Sequence, residues 1–408
     1  MSGSIAAIAA YNGTGTQGYG TTDEDARGVK SVFWNDYDTV KHFVNGFSVS
    51  EVSSNKGTIT TAETIVFTFD NDIDAISDLQ LVVDANGVDT DDSNSLPPWW
   101  MALLIERVEV CVGNQVLSTI NTAGLIKSFL DCENPSLYNS KIPYNSGLAS
   151  RLGPSNFSTI FKLPIFNTLD NDVDCSYLMG LANNQTLQVK VYPQNLSASD
   201  FNSNIGTDRI DSPGTDFTFK LFANKSILTN AERTILINQV VPKRTNISQS
   251  ATKFMSSGET FTPNLPITII CDHFNIYADA LYIVAGEMPV GNNDSAGANR
   301  AFDIEVFLNS TSYSGIIPPE VSNVSTRMNQ YFHTDLDDIY YYKIPLSNLL
   351  KSKDQDFVPL GKYDSIRVVL TPTSNITTTK SFINTLSVIA TGKTTGLYKN
   401  GAVTFSTF

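Results

Sequence analysis

The residues best suited to hold an ion are three short acidic stretches. "DNDID" (70–74) and "DNDVD" (170–174) place aspartates at alternate positions, and "DTDDSN" (89–94) is similar. Alternate carboxylates in a loop can offer oxygens to a hard cation such as calcium. Asp70, Asp72, Asp74, Asp170, Asp172 and Asp174 are therefore the candidate ligands. A calcium loop also wants Gly at its sixth position and Glu at its twelfth. Ala75 and Leu81 stand there in the first stretch, Cys175 and Leu181 in the second. Solvated turns held by side-chain-to-backbone hydrogen bonds are the preferred reading, and no metal or cofactor is expected.

Other chemistry is thin. The histidines are His42, His273 and His333, and the cysteines are Cys111, Cys132, Cys175 and Cys271. "ICDHFN" sets Cys271 and His273 two apart, on one face if the strand continues, but no second pair completes a metal site. The cysteines lack a C-x-x-C pair, and Cys111 and Cys271 lie in apolar runs, so buried free thiols are expected. No Ser–His–Asp or Cys–His arrangement can be assembled, and no enzyme is expected. "GTGTQG" (13–18) satisfies G-x-G-x-x-G without a strand before it or a helix after it. "TGKTTG" (391–396) resembles the end of a phosphate loop, but Ser387 occupies the place of its first Gly. Ten Asn-x-Ser/Thr sequons occur, of which Asn293, in "GNNDSAGANR", is the glycosylation candidate. "SLPPWWM" (95–101) could stack a sugar, though a corner packed at a protein contact is the simpler reading.

The elements that must position these residues are strands. The 408 residues are 41% hydrophobic and 17% charged, with 23 Phe and 16 Tyr. Such a mixture favours pleated strands joined by Asn, Ser and Pro turns. A net charge of −14 argues against a nucleic-acid surface. No apolar run is long enough for a transmembrane helix, and "MSGSIAAIAAYNG" lacks the positive start of a signal peptide. Helix candidates are few, "NTAGLIKSFLDC" and "TNAERTILINQVV".

The strand pattern is written twice. "ETIVFTFDNDIDAISDLQLVV" (63–83) aligns without gaps on "LPITIICDHFNIYADALYIVA" (265–285), an offset of 202 (Ile65 to Ile267). "RVEVCVGN" (107–114) meets "DIEVFLNS" (303–310), and "FKLPIF" (161–166) meets "YKIPLS" (342–347). "QVKVYP" (188–193) then meets "RVVLTP", an offset of 179 (Gln188 to Arg367). A conserved order with a shrinking offset describes two copies of one fold, the second with shorter loops. The expected fold is all-β: two tandem eight-stranded jelly-roll barrels, with short helices in loops and at the junction. The expected division is an N-terminal arm (1–30), a first jelly roll (31–228), a linker helix (229–245) and a second jelly roll (246–408).

Several motifs carry a resemblance. "NDIDAISDLQLVVD", "LLIERVEVCVGNQVLSTIN", the junction "NKSILTNAERTILINQVV" and the closing "NTLSVIATGKTTGLYKNGAVTFSTF" resemble segments of double jelly-roll major capsid proteins. That family spans large DNA viruses, virophages and tailless membrane-containing phages. The tight Gly-Gly hairpin of its members stands here as Gly113-Asn114, and "FWNDYDTVKHF" (33–43) is acidic where relatives tend to be basic. The resemblance implies a virion protein made in the host cytoplasm, a homotrimer of pseudo-hexagonal outline tiling an icosahedral shell. It implies neighbouring capsomers and minor capsid proteins as partners, and an arm lying beneath the shell towards an inner membrane or the neighbouring capsomers. The alternatives are a minor or penton protein of the same lineage and a carbohydrate-binding tandem β-sandwich attachment protein.

Overall fold

The computed structural model describes residues 47–52, 64–69, 73–90, 100–130, 155–166, 177–194, 210–212, 216–226, 241–254, 260–285, 302–318, 340–346, 357–373, 376–377 and 385–405. The first half contributes β1 (Phe47–Val52), β2 (Ile65–Thr68), β3 (Ala75–Thr90), β4 (Ile105–Val112), β5 (Gln115–Asn121), β6 (Ser155–Lys162), β7 (Leu187–Pro193), β8 (Ile210–Ser212) and β9 (Asp216–Ser226). The one described α-helix, α1 (Thr122–Leu130), follows β5 directly, in the first of the two segments expected to be helical. Asn121 caps it, its Oδ1 accepting from Gly124 N at 2.9 Å. Residues 229–240 of the second such segment lie outside the described residues.

The second half contributes β10 (Val241–Phe254), β11 (Thr260–Phe261), β12 (Ile267–Ile270), β13 (Tyr277–Ala285), β14 (Phe302–Leu308), β15 (Thr311–Ser312) and β16 (Tyr340–Pro345). It ends with β17 (Val358–Pro359), β18 (Ile366–Pro372), β19 (Ile376–Thr377), β20 (Thr385–Lys399) and β21 (Ala402–Phe405). Residues 241–245, expected within a linker helix, are instead the first residues of β10. Every backbone group of that stretch from Val241 onward lies opposite β20, so the ladder of a long strand replaces the helix.

Sheet order is the same in both halves. The first half pairs β1-β9-β3-β6 and β2-β7-β4-β5; the second pairs β10-β20-β13-β16 and β12-β18-β14-β15. In each half the first strand (β1, β10) thus pairs with a late one (β9, β20), and the two main sheets are built from alternating parts of the chain; β8 also joins β3, β17 joins β13 and β21 joins β20. The register repeats too. Leu81 lies opposite Phe161 as Ile283 lies opposite Tyr342, and Val110 opposite Val189 as Val306 opposite Val368. These are the residues that the sequence alignment equates.

Alternation explains the core. β7, β14 and β18 each bury every second residue, as a sheet with one packed face must. Phe67, Phe161, Phe166, Phe302 and Tyr342 are among the largest fully buried side chains. The prolines of "FKLPIF" and "YKIPLS" stand just after β6 and at the end of β16. Both strands are sheet edges, where a missing donor costs least. Tight hairpins use residues tolerant of positive φ: Gly113 (57°), Asn309 and Ser310 (50° and 67°), Asn400 and Gly401 (54° and 77°).

Candidate functional site

Among the described residues, none whose chemistry was weighed assembles into a reactive centre. Among the described residues no group of three His, Cys, Asp or Glu could hold a metal ion. Asp74 is buried beside the 3-10 turn Met179–Leu181, its carbonyl accepting from Gly180 N at 3.0 Å. Asp70, Asp72, Asp170, Asp172, Asp174 and Asn293 lie outside the described residues, as do His42, His333, Cys132 and Cys175. The amides of Asn184, Asn224 and Asn309, each in a sequon, all make hydrogen bonds within the fold. The Trp pair leads into a 3-10 turn, Trp100–Leu104, whose Met101 to Leu104 are buried ahead of β4. Residues 95–99 of that segment lie outside the described residues.

Cys271 and His273 do not share a strand face. β12 ends at Ile270, because Asp272 Oδ1 accepts from Ile366 N at 2.7 Å and turns the chain there. Cys271 is buried, while the exposed His273 ring lies 3.1 Å from Ser250 O. Burial pushes the Cys271 thiol up to about 12, and the Cys111 thiol upward as well. The folded state therefore favours the protonated thiol at Cys271. Its stabilising effect is present below the ordinary thiol value of 9.0 and is lost as pH rises from there towards about 12. Cys271→Ala should flatten the alkaline limb of the melting temperature. A thiol reagent at pH 8 should leave Cys271 unmodified until the protein unfolds.

What the residues do build is a seam between the two barrels, in two zones. In the first, β5 and α1 of the first barrel lie over the outer face of the β10-β20-β13 sheet. Ser118 Oγ donates to Ser248 O at 3.0 Å. Asn121 Nδ2 donates to Thr252 Oγ1 at 2.9 Å and approaches Ser387 Oγ at 3.3 Å. The side chain that caps α1 with one atom therefore crosses the seam with the other. Lys127, on α1 and nearly buried, sets its Nζ 4.0 Å from the centre of the Tyr282 ring. The covered face carries Tyr282, Val284, Ser387 and Ile389, none more than 3% exposed. A sheet normally buries one face; β13 buries both, because the second face belongs to the other barrel.

In the second zone the hairpin β20–β21 grips the segment 177–185 of the first barrel. Asn184 N donates to Gly401 O at 2.9 Å, and Val403 N donates to Gln185 Oε1 at 2.7 Å. Leu178 N donates to Tyr398 OH at 3.3 Å. The Tyr398 ring meets Tyr177 edge-on at 5.9 Å, and Tyr177 meets Phe166 at 5.2 Å. All three rings are fully buried, and burial pushes the Tyr177 hydroxyl well above its ordinary value. "TGKTTG" proves to be the part of β20 that leads into this hairpin.

No protein-family model matches the chain, and no curated protein does. Solved structures match along nearly its whole length. PBCV-1 VP54, in a structure fitted into a reconstruction of the virophage Sputnik, is 11% identical at a TM-score of 0.66. That match covers 92% of this chain and 99% of the other. The Faustovirus major capsid protein is 9% identical over 98% of both chains, with a TM-score of 0.54. The structure of the Sputnik virophage itself gives 10% identity, 89% of each chain and 0.53. The fold is a double jelly roll. The seam is then the joint within a double jelly roll, and its two zones set how the two barrels stand against each other. Sequence reasoning found the barrels and the closing strand pair but not the seam, whose Ser118, Asn121 and Ser387 look like ordinary polar surface. The one available signal was β13, "ALYIVAG", which is apolar at consecutive positions where a one-sided strand would alternate.

Proposed function

We propose that the chain is a major capsid protein whose homotrimers form pseudo-hexagonal capsomers of an icosahedral double-stranded DNA virus or related element. One observation carries this reading: the likeness to capsid proteins spans both barrels and the joint between them, 92% of this chain against 99% of PBCV-1 VP54. A tandem of two barrels makes a six-sided tile from three copies, and a tile works through packed interfaces rather than a pocket. On this reading the protein resides in the virion shell after synthesis in the host cytoplasm. Its partners are its own copies, neighbouring capsomers and minor capsid proteins, with an inner membrane beneath. The formal charge of −14 suits a shell that does not itself bind nucleic acid.

Size-exclusion chromatography with light scattering tests the proposal. A stable species of three times 44.6 kDa is expected. A monomer retained on a glycan column would instead support an attachment protein.

A further inference from the structure

The sheets β2-β7-β4-β5 and β12-β18-β14-β15 are equivalent, yet their outer faces carry different chemistry. In the first barrel that face neutralises itself. Arg107 Nη1 donates to Glu106 Oε1 at 2.6 Å, and its Nε donates to Glu109 Oε1 at 2.9 Å. Tyr192 OH donates to the other Glu109 oxygen at 2.9 Å, and the Arg107 guanidinium lies 3.8 Å from the centre of its ring. Further along, Gln188 lies opposite Thr68, and its Nε2 donates to Thr68 Oγ1 at 3.5 Å. These groups answer one another within the sheet.

The second barrel has Arg367 where Gln188 stands and Ile270 where Thr68 stands. The register carries one row across three strands, Ile270, Arg367 and Phe307. Ile270 is 62% exposed, while Phe307 is half-buried, as is Val369, two residues along β18 on the same face. Arg367 stands in the middle of this apolar group with its fork scarcely used. Nη2 donates to Ser310 Oγ at 3.3 Å, and the guanidinium lies 5.8 Å from the centre of the Phe307 ring. Nε is shielded from solvent and has no hydrogen-bond partner. Among the described residues no carboxylate forms an ion pair with Arg367. Glu305, one row along on β14, accepts instead from Ser312 Oγ.

We infer that this row docks a segment of a different protein, apolar and carrying one Asp or Glu. Its apolar side chains cover Ile270, Val369 and Phe307, and its carboxylate accepts from the free N–H groups of Arg367. A guanidinium bonds a carboxylate through two parallel N–H groups, which gives the contact direction as well as energy. Charge decides the class of partner, because an apolar patch centred on an unpaired cation fits an apolar segment centred on an anion. One cation flanked by Glu305 and Asp303 suits a single carboxylate and not a polyanion such as a nucleic acid. The row lies on the second barrel alone and does not depend on how copies of the chain assemble.

Fluorescence anisotropy with labelled peptides tests the row. The probes alternate Val and Thr and differ only in a central Glu, Gln or Lys. The Glu peptide should bind the full-length protein roughly tenfold more tightly than the Gln peptide, with the Lys peptide weakest. Arg367→Gln should erase that ranking, and Ile270→Thr should weaken binding of all three. Each variant installs the residue that the first barrel carries at the matching place, and an unchanged melting temperature checks the fold. No binding at millimolar peptide, equal affinities for the Glu and Gln peptides, or a preference that survives Arg367→Gln would overturn the docking row. So would a wild-type oligomer whose mass falls in Ile270→Thr, since the row would then be a contact between copies. The mass of the wild type itself tests the capsid reading separately.

Discussion

Gly392→Ala should cost the protein more than about 3 kcal/mol and Gly392→Val should abolish soluble expression, because a side chain there has no room. A Cβ on Gly392 would overlap the carbonyl oxygen of Tyr277 and lie 2.8 Å from Ala278 Cα. Both obstacles are backbone, so no rotamer change relieves them. The site lies where β20 pairs with β13, next to the irregularity between Ala278 and Ala280. Asp279 is left over there, its Oδ1 accepting from Thr391 Oγ1 at 2.7 Å. A bulge brings the strands closer than a regular ladder would, and glycine permits the approach. Relief requires β13 and β20 to separate, and these two strands carry the sheet face that the first barrel covers. Typical domains have only about 5–15 kcal/mol of stability, so one such loss is severe. The urea midpoint and the soluble yield measure it. A Gly392→Ala protein with the wild-type midpoint would show that the two strands stand further apart than described.

The second large effect is expected at Tyr398. Removing its ring in Tyr398→Ala takes a fully buried side chain out of the second seam zone, which costs about 4 kcal/mol for an aromatic in a core that cannot collapse. It also strips the edge-on contact with Tyr177 and leaves Leu178 N without its hydroxyl acceptor. Tyr398→Phe keeps the ring and loses only the hydroxyl, for about 1 kcal/mol. The ratio of the two separates packing from hydrogen bonding. Because Tyr398 joins the barrels, Tyr398→Ala should also make proteolysis between them faster while each barrel's strand signature in circular dichroism persists. Equal losses in the two variants would mean that the hydroxyl, not the ring, holds this zone.

The duplication was legible because strands announce themselves by alternation, and because the same order of strands recurs along the chain. Ile65 and Ile267, or Leu81 and Ile283, could be equated from sequence, and the pairings Leu81–Phe161 and Ile283–Tyr342 then followed the same register. The seam was not legible because polar groups that bond to one another in a dry joint have the same composition as polar groups in water. Ser248 is 2% exposed and its carbonyl accepts from Ser118 across the joint, yet "VPKRTNISQS" reads as a polar connection. The same ambiguity led the linker to be drawn as far as residue 245, where β10 already runs beside β20. Cys271 and His273 failed for a local reason. Asp272 turns the chain by accepting from Ile366 N, a partner 94 residues away that no local pattern could supply.

The pairing of β10 with β20 has a consequence in time. β10 meets β20 along its whole length, Val241 opposite Tyr398 and Phe254 opposite Thr385, so the second barrel cannot close until about 150 further residues have been made. The same late strands carry the hairpin that grips residues 177–185 of the first barrel. During synthesis the first barrel can fold early, but its partner and the joint between them are finished in a single late event. Copies of the chain emerging from neighbouring ribosomes would therefore meet while the second barrel is still open, and its unpaired β10 edge is the strand most exposed to mispairing in that interval.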